Sequence, residues 1–226
     1  MSIDVFFDYT CGFSNRARHW LDAVDSEELV WRPFSLLEQH RGADGPPVFD
    51  RPDLADDVSL IALAVHEAVR AEGGDVEGYR RRMFTAWHEE PARLATVDIL
   101  GFGRDAGLGH FDHDVAFAAL GAEHAVGTKL GVFGTPTVVF APGRVVFVKL
   151  DAVPVAERAQ PLWDSVGQDS AAVSLPADLA LPLRTGRADV LGWVEQGRCL
   201  LELLAVDPAD DERLATAVLA CAAPVR

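Results

Sequence analysis

The stretch Ile3-Asp4-Val5-Phe6-Phe7-Asp8-Tyr9-Thr10-Cys11-Gly12-Phe13-Ser14 carries an apolar run into a cysteine and then into a helical pattern. Residues 2–8, rich in β-branched and aromatic side chains, read as a short buried strand. From about residue 14 to 24, Ala17, Trp20, Leu21 and Val24 recur at helical spacing on one face. Cys11 therefore stands where a strand hands over to a helix. A thiol there faces unpaired backbone N–H groups and the positive end of the helix dipole, an environment that favours the thiolate. Tyr9 and Phe13 flank it with apolar surface suited to docking a substrate. Reactivity, rather than packing, is the reading this position favours.

Working outward, residues 29–36 (Leu-Val-Trp-Arg-Pro-Phe-Ser-Leu) read as a second strand, with Pro33 at an edge or near its end because it cannot donate a ladder hydrogen bond. Residues 38–52, rich in Gly, Pro and charge, read as a loop. Four helices follow. The first has Asp53 as N-cap, Asp56 and Asp57 in its first turn, and a stripe of Val58, Ile61, Val65, Ala68 and Val69, closed by Gly73-Gly74. The second spans residues 76–88, with Tyr79, Met83 and Trp87 inward. The third spans residues 95–106 before Gly107, and the fourth runs from an Asp112 cap to about Gly127. The pattern then changes to two apolar runs, residues 138–140 and 145–148, separated by Ala141-Pro142-Gly143-Arg144. Pro then Gly at the central positions marks a turn, so this is a β-hairpin. A helix over residues 154–166, with Pro154 in its first turn, follows, and two more are predicted over residues 188–206 and 209–222. The class is α/β.

With a formal net charge of −15, nucleic acid and anionic membranes are disfavoured as partners. Arg80-Arg81-Arg82, the one basic run, falls within a helix and reads as a solvated face. No apolar stretch approaches the ~20 residues that span a bilayer, and the N-terminus lacks the basic region of a signal peptide. Cys11, Cys199 and Cys221 are too widely spaced to be a disulfide framework, which points to a reducing cytoplasm. Cys199 and Cys221 sit in apolar runs and read as core residues. Gly101-Phe102-Gly103 follows no strand, so it is not a nucleotide loop. His110, Asp112, His113 and Asp114 are explained by capping and surface placement rather than by metal ligation.

At this point the sequence resembles a known family. Phe7-Asp8-Tyr9-Thr10-Cys11-Gly12-Phe13-Ser14 is similar to the active-site turn of leaderless DsbA-like oxidoreductases, whose usual motif is Cys-Pro-x-Cys after a Phe-Asp pair. Trp31-Arg32-Pro33-Phe34-Ser35-Leu36 resembles that family's second strand, and Gly131-Val132-Phe133-Gly134-Thr135-Pro136-Thr137 its cis-proline loop. The three motifs occur in the family's order over roughly residues 1–165. The resemblance implies a thioredoxin-like fold: a core of residues 1–52 and 128–166, an all-helical insertion of residues 53–127, and a C-terminal helical extension of residues 167–226. It makes Cys11 the nucleophilic thiol, Pro136 a cis residue facing substrate, and Thr135 its neighbour beside the thiol, with Phe13 on the docking surface.

Two departures bear on mechanism. Gly12 replaces the usual proline, and Ser14 replaces the second, resolving cysteine. Disulfide exchange needs a second thiolate to attack the mixed disulfide, and a serine hydroxyl does not serve. What remains is monothiol chemistry on a thiol or disulfide substrate, protein or small molecule, with a low-molecular-weight thiol as cosubstrate and no metal or nucleotide cofactor. Ser14 opens an alternative, since kappa-class glutathione transferases and chromene-carboxylate isomerases use a serine in this turn to hold a glutathione thiolate. Cys-Gly-Phe-Ser is also the tetrapeptide of monothiol glutaredoxins, which hold an iron–sulfur cluster with glutathione but are about half this length. A catalytically silent module gripping peptide through Thr135-Pro136 is the remaining reading.

Overall fold

The N-terminal apolar run becomes an interior strand. A computed structural model describes residues 2–26, 28–41, 45–90, 94–140 and 143–167 with their side chains, and the backbone of residues 172–176, 192–195 and 198–202. β1 (Ile3–Phe7) pairs in parallel with β2 (Leu29–Pro33), Val5 opposite Trp31, and α1 (Gly12–Leu21) makes the crossover between them. Pro33 is the last residue of β2, which forms one edge of the sheet, so its missing N–H costs no ladder bond.

Between β2 and the hairpin come α2 (Leu36–Gln39), two 3₁₀ turns (Val48–Asp50 and Pro52–Leu54), α3 (Val58–Ala71), α4 (Val76–His88), α5 (Thr96–Asp105) and α6 (His113–Leu130). β3 (Thr137–Phe140) then pairs antiparallel with β1 and turns back into β4 (Arg144–Phe147), and α7 (Ala156–Gly167) follows. The order β2-β1-β3-β4 is a βαβ unit joined to an antiparallel hairpin and a closing helix. That is the thioredoxin-like arrangement, with a helical block carried between its halves.

Alternation along β1 divides the core. Val5 and Phe7 face the main cluster with Trp20, Trp31, Tyr79 and Phe84, while Phe6 faces the opposite side with Phe34, Val132, Val139 and Val145. On that second face α6 comes so close that a Cβ on Gly127 would lie 2.8 Å from the Phe34 ring and 3.0 Å from Phe6. Across the first, Trp20 Nε1 donates to the Ala159 carbonyl at 2.9 Å and its ring meets Trp163 edge-on, tying α1 to α7.

Several expectations are corrected. The cap of α3 is Asp57, whose carboxylate accepts from Ser59 and Leu60 N–H; Asp53 belongs to the preceding 3₁₀ turn and pairs with Arg51. The buried surface of α3 is wider than its stripe, adding Leu60, Ala62, Leu63, Ala64, His66 and Glu67, because helices and the sheet pack against it from several sides. The loop over residues 38–52 contains the end of α2 and a 3₁₀ turn. α7 begins at Ala156, two residues past Pro154, and contains Pro161.

Arg80 is not on a solvated face. It is 1% exposed, stacked 4.0 Å over the Trp31 ring and ion-paired with Glu77. Consecutive residues turn by about 100° on a helix, so three neighbouring arginines cannot share one face. Arg81 and Arg82 do remain outside, paired with Glu77 and Glu90.

The helix expected over residues 188–206 is replaced by two strands, β6 (Gly192–Glu195) and β7 (Arg198–Glu202), and β5 (Ala172–Pro176) precedes them. β6 pairs antiparallel with β4, Val145 opposite Val194, extending the sheet to β2-β1-β3-β4-β6-β7-β5. The physical reason is an open row of N–H and C=O groups on β4, which a strand can pair and a helix cannot. The expected helix over residues 209–222, with Cys221, lies outside the described residues, as does the Cys199 side chain.

Candidate active site

The sharp turn from β1 into α1 is built by one carboxylate. Asp8 Oδ1 accepts from the Thr10 N–H and hydroxyl, both at 2.8 Å, and Oδ2 accepts from Leu36 N–H at 2.7 Å. Asp8 is buried, and burial pushes its pKa up against those three hydrogen bonds. Its backbone carbonyl accepts from Cys11 N–H at 3.1 Å, completing the turn. One residue thus fixes the approach to Cys11 and anchors it to the start of α2.

The helical block supports the same turn. His88, at the end of α4, donates from Nε2 to the Tyr9 carbonyl at 2.8 Å, and its pKa is held below the usual value by burial. The next residue, Glu89, accepts from the nearly buried Arg18 guanidinium of α1 at 2.6 Å. Beneath the turn, the Tyr9 hydroxyl pairs with His66 Nδ1 at 2.9 Å; burial lowers the His66 pKa to about 3, so this imidazole stays neutral.

Cys11 is the N-cap residue of α1, and its side chain does not cap the helix. The sulfur points across to the cis-proline loop, where the Thr135 carbonyl accepts from the thiol at 3.2 Å. The Thr135–Pro136 bond is cis, and the Pro136 carbonyl is taken up by Val148 N–H at 3.0 Å. Cys11 retains 8% exposure, whereas Ser14 is fully buried and its hydroxyl has no partner among the described residues. The Thr135 hydroxyl is likewise buried without a partner there. Phe13 is half-buried, with Arg16 at 4.6 Å and Lys149 at 5.4 Å from its ring centre.

Cys11 and Thr135, 124 residues apart, are therefore brought into contact, with Phe13 and Ser14 following on the first turn of α1. The roles of Asp8, His88 and Arg16 escaped the sequence reading. Asp8 alone carried a local signal, an Asp two residues before a Thr, which is the spacing of a side-chain turn. Gly101 and Gly103 lie within α5, and Asp112 caps α6 by accepting from Val115 N–H. Among the described residues no group of three or more His, Cys, Asp and Glu is placed to hold a metal.

A thioredoxin-like sheet with a cysteine at the start of its first helix and a cis-proline loop against the sulfur defines the class. Residues 2–159 match the model of the DSBA-like thioredoxin domain, and the chain belongs to that family. Among solved structures, it is similar to the cytosolic disulfide reductase DsbM from Pseudomonas aeruginosa, at 22% identity over 74% of this chain and 98% of that one (TM-score 0.49). A structure of that reductase with GSH gives 18% identity over the same shares (TM-score 0.48). SrgA from Salmonella enterica serovar Typhimurium gives 15% identity over 73% of this chain and 88% of that one (TM-score 0.46). No curated protein matches the chain by sequence. No helix among the described residues is long and apolar enough to cross a membrane.

Proposed function

We propose that the protein carries out thiol–disulfide exchange through Cys11 alone, with a low-molecular-weight thiol such as glutathione as the second reactant. The observation that carries this reading is the pairing of positions 11 and 14: a cysteine at the helix N-terminus that keeps 8% exposure, and a fully buried hydroxyl where a resolving thiol would stand. In the first half-reaction the Cys11 thiolate attacks one sulfur of a disulfide R–S–S–R. The Cys11–S–S–R bond forms, the substrate S–S bond breaks, and RS⁻ leaves to be protonated by water. In the second, an external thiolate R′S⁻ attacks the substrate sulfur of the mixed disulfide, forming R–S–S–R′ and releasing the Cys11 thiolate. Once ionised, the sulfur can no longer donate to the Thr135 carbonyl. The first turn of α1, which has no side-chain cap, is the donor set then available to it. A compartment with a reduced thiol pool, as in the cytoplasm, fits this cycle.

The unpartnered Ser14 hydroxyl favours a second reading, in which serine holds a glutathione thiolate for transfer or isomerisation. Its complete burial weighs against direct contact with a diffusing thiol. Glutathione-dependent reduction of a small disulfide separates the two. Under the Cys11 reading, Cys11→Ser falls to the rate without protein and Ser14→Ala keeps a measurable rate. The reverse pattern would install the Ser14 reading.

A further inference from the structure

Arg16 is held at the active-site turn by two contacts of different kinds. Its Nε donates to the Leu150 carbonyl at 2.6 Å, and its guanidinium lies 4.6 Å from the centre of the Phe13 ring. Its Nη1 stands 3.9 Å from where a Cβ on Gly12 would be. The guanidinium is thus pinned over the residue next to Cys11, and Gly12, lacking a side chain, leaves it the open face of the turn. No carboxylate pairs with Arg16 among the described residues, whereas Arg18, two positions on in the same helix, is paired with Glu89. Lys149 Nζ, next in sequence to Leu150, lies 5.4 Å from the centre of the same Phe13 ring.

We infer that Arg16 selects substrates that carry a carboxylate near the reacting sulfur. An acidic small thiol and an acidic residue flanking a cysteine in a peptide share this chemistry. A guanidinium already fixed by its Nε and by stacking keeps its outer N–H groups for a carboxylate and loses little freedom on binding. The inference rests on Cys11 being the exchanging thiol, and the test keeps the two apart.

The full-length protein is reacted with 3,3′-dithiodipropionate (anionic), bis(2-hydroxyethyl) disulfide (neutral) and cystamine (cationic). Mixed-disulfide formation at Cys11 is followed by mass spectrometry with peptide mapping. Each rate is divided by that disulfide's rate with 2-mercaptoethanol, which removes intrinsic reactivity. The expected anionic-to-neutral ratio is about tenfold, the worth of one charge-assisted contact. It falls toward one in Arg16→Gln and is partly restored in Arg16→Lys. If Arg16→Gln does not fold, the wild-type ratio at 0.02 M and 0.5 M salt decides, since screening shrinks a genuine charge preference. Peptide disulfides with Asp or Lys beside the cysteine then show which source is preferred. Equal normalised rates for all three small disulfides, or a ratio unmoved by both substitution and salt, would overturn the inference. An inert Cys11 with all three would instead overturn the exchange reading.

Discussion

Asp8 shows how much of a reactive turn depends on one side chain that does no chemistry. Its two oxygens take three part-buried hydrogen bonds from Thr10 and Leu36, so Asp8→Ala removes the acceptor of two backbone N–H groups and loosens the turn. The expected loss is about 1–3 kcal/mol, read from the urea midpoint, with Asp8→Asn losing less because the amide oxygen still accepts. At this scale the site was partly legible. Cys11, Phe13, Ser14, Thr135 and Pro136 stand in two short motifs, and each motif can be read without knowing the fold. The partners that hold them, His88 on the Tyr9 carbonyl and Arg16 on the Leu150 carbonyl, join residues 79 and 134 positions apart. Nothing in a linear pattern announces which backbone carbonyl a distant cation will meet.

Among the elements, α6 offers the sharpest packing test. Gly127 sits in the last turn of the helix, at a position where alanine is normally worth up to about 1 kcal/mol more. Its Cβ, however, would press 2.8 Å from Phe34 and 3.0 Å from Phe6, two rings that are themselves fully buried. Overpacking of this sort costs about 1–3 kcal/mol, so Gly127→Ala is expected to lower the melting temperature rather than raise it. Elements with local punctuation were legible: α4 occupies residues 76–88 as read, Asp112 caps α6, and Gly107 has the left-handed φ of 99° that ends α5. The C-terminal strands were not. Gly192-Trp193-Val194-Glu195 and Arg198-Cys199-Leu200-Leu201-Glu202 are short apolar runs whose helical and extended readings periodicity cannot separate. What decides between them is the unpaired side of β4, a tertiary feature. Gly192 and Gly197, each costly inside a helix, were the available hint. Ending the chain at residue 167 is expected to speed amide exchange at β4, whose Val145 and Phe147 lie opposite Val194 and Gly192 in the full chain. Unchanged exchange there would remove the extra strands from the sheet.

For the whole molecule, buried charge ties the helical block to the sheet and sets the pH range of stability. Arg32 of β2 pairs with Asp4 of β1 and Glu123 of α6, and Arg70 of α3 pairs with Glu123 and Glu67. Burial raises the Glu67 pKa to about 7, with Glu123 adding to the rise while Arg70 and Arg32 oppose it. The folded state therefore keeps a proton that the unfolded chain releases above pH ~4.5, and stability falls as pH rises from there to about 7. His66 and His124, lowered by burial to about 3 and about 4, act the other way. They stay neutral when folded, so stability is lost as pH falls below their unfolded value of 6.5. Two histidines outweigh one carboxyl below that point, with His88 acting in the same sense, so stability climbs from acid and levels off near pH ~7 by this balance. Denaturation midpoints across pH check it: Glu67→Gln should steepen the rise from acid, gaining on the order of 2 kcal/mol over wild type between pH 5 and 8. A wild-type midpoint still rising at pH 8 would contradict the assignment.

The central claim concerns Cys11, and trapping tests it most directly. The protein is treated with a neutral disulfide, excess reagent is removed, and the mass is followed with time before and after adding glutathione. The account predicts a single adduct on Cys11 that persists without added thiol, because Ser14 cannot resolve it, and that glutathione releases. An adduct that decays unaided into an internal disulfide with Cys199 or Cys221, or a Cys11 that takes no adduct while the protein is folded, would contradict it.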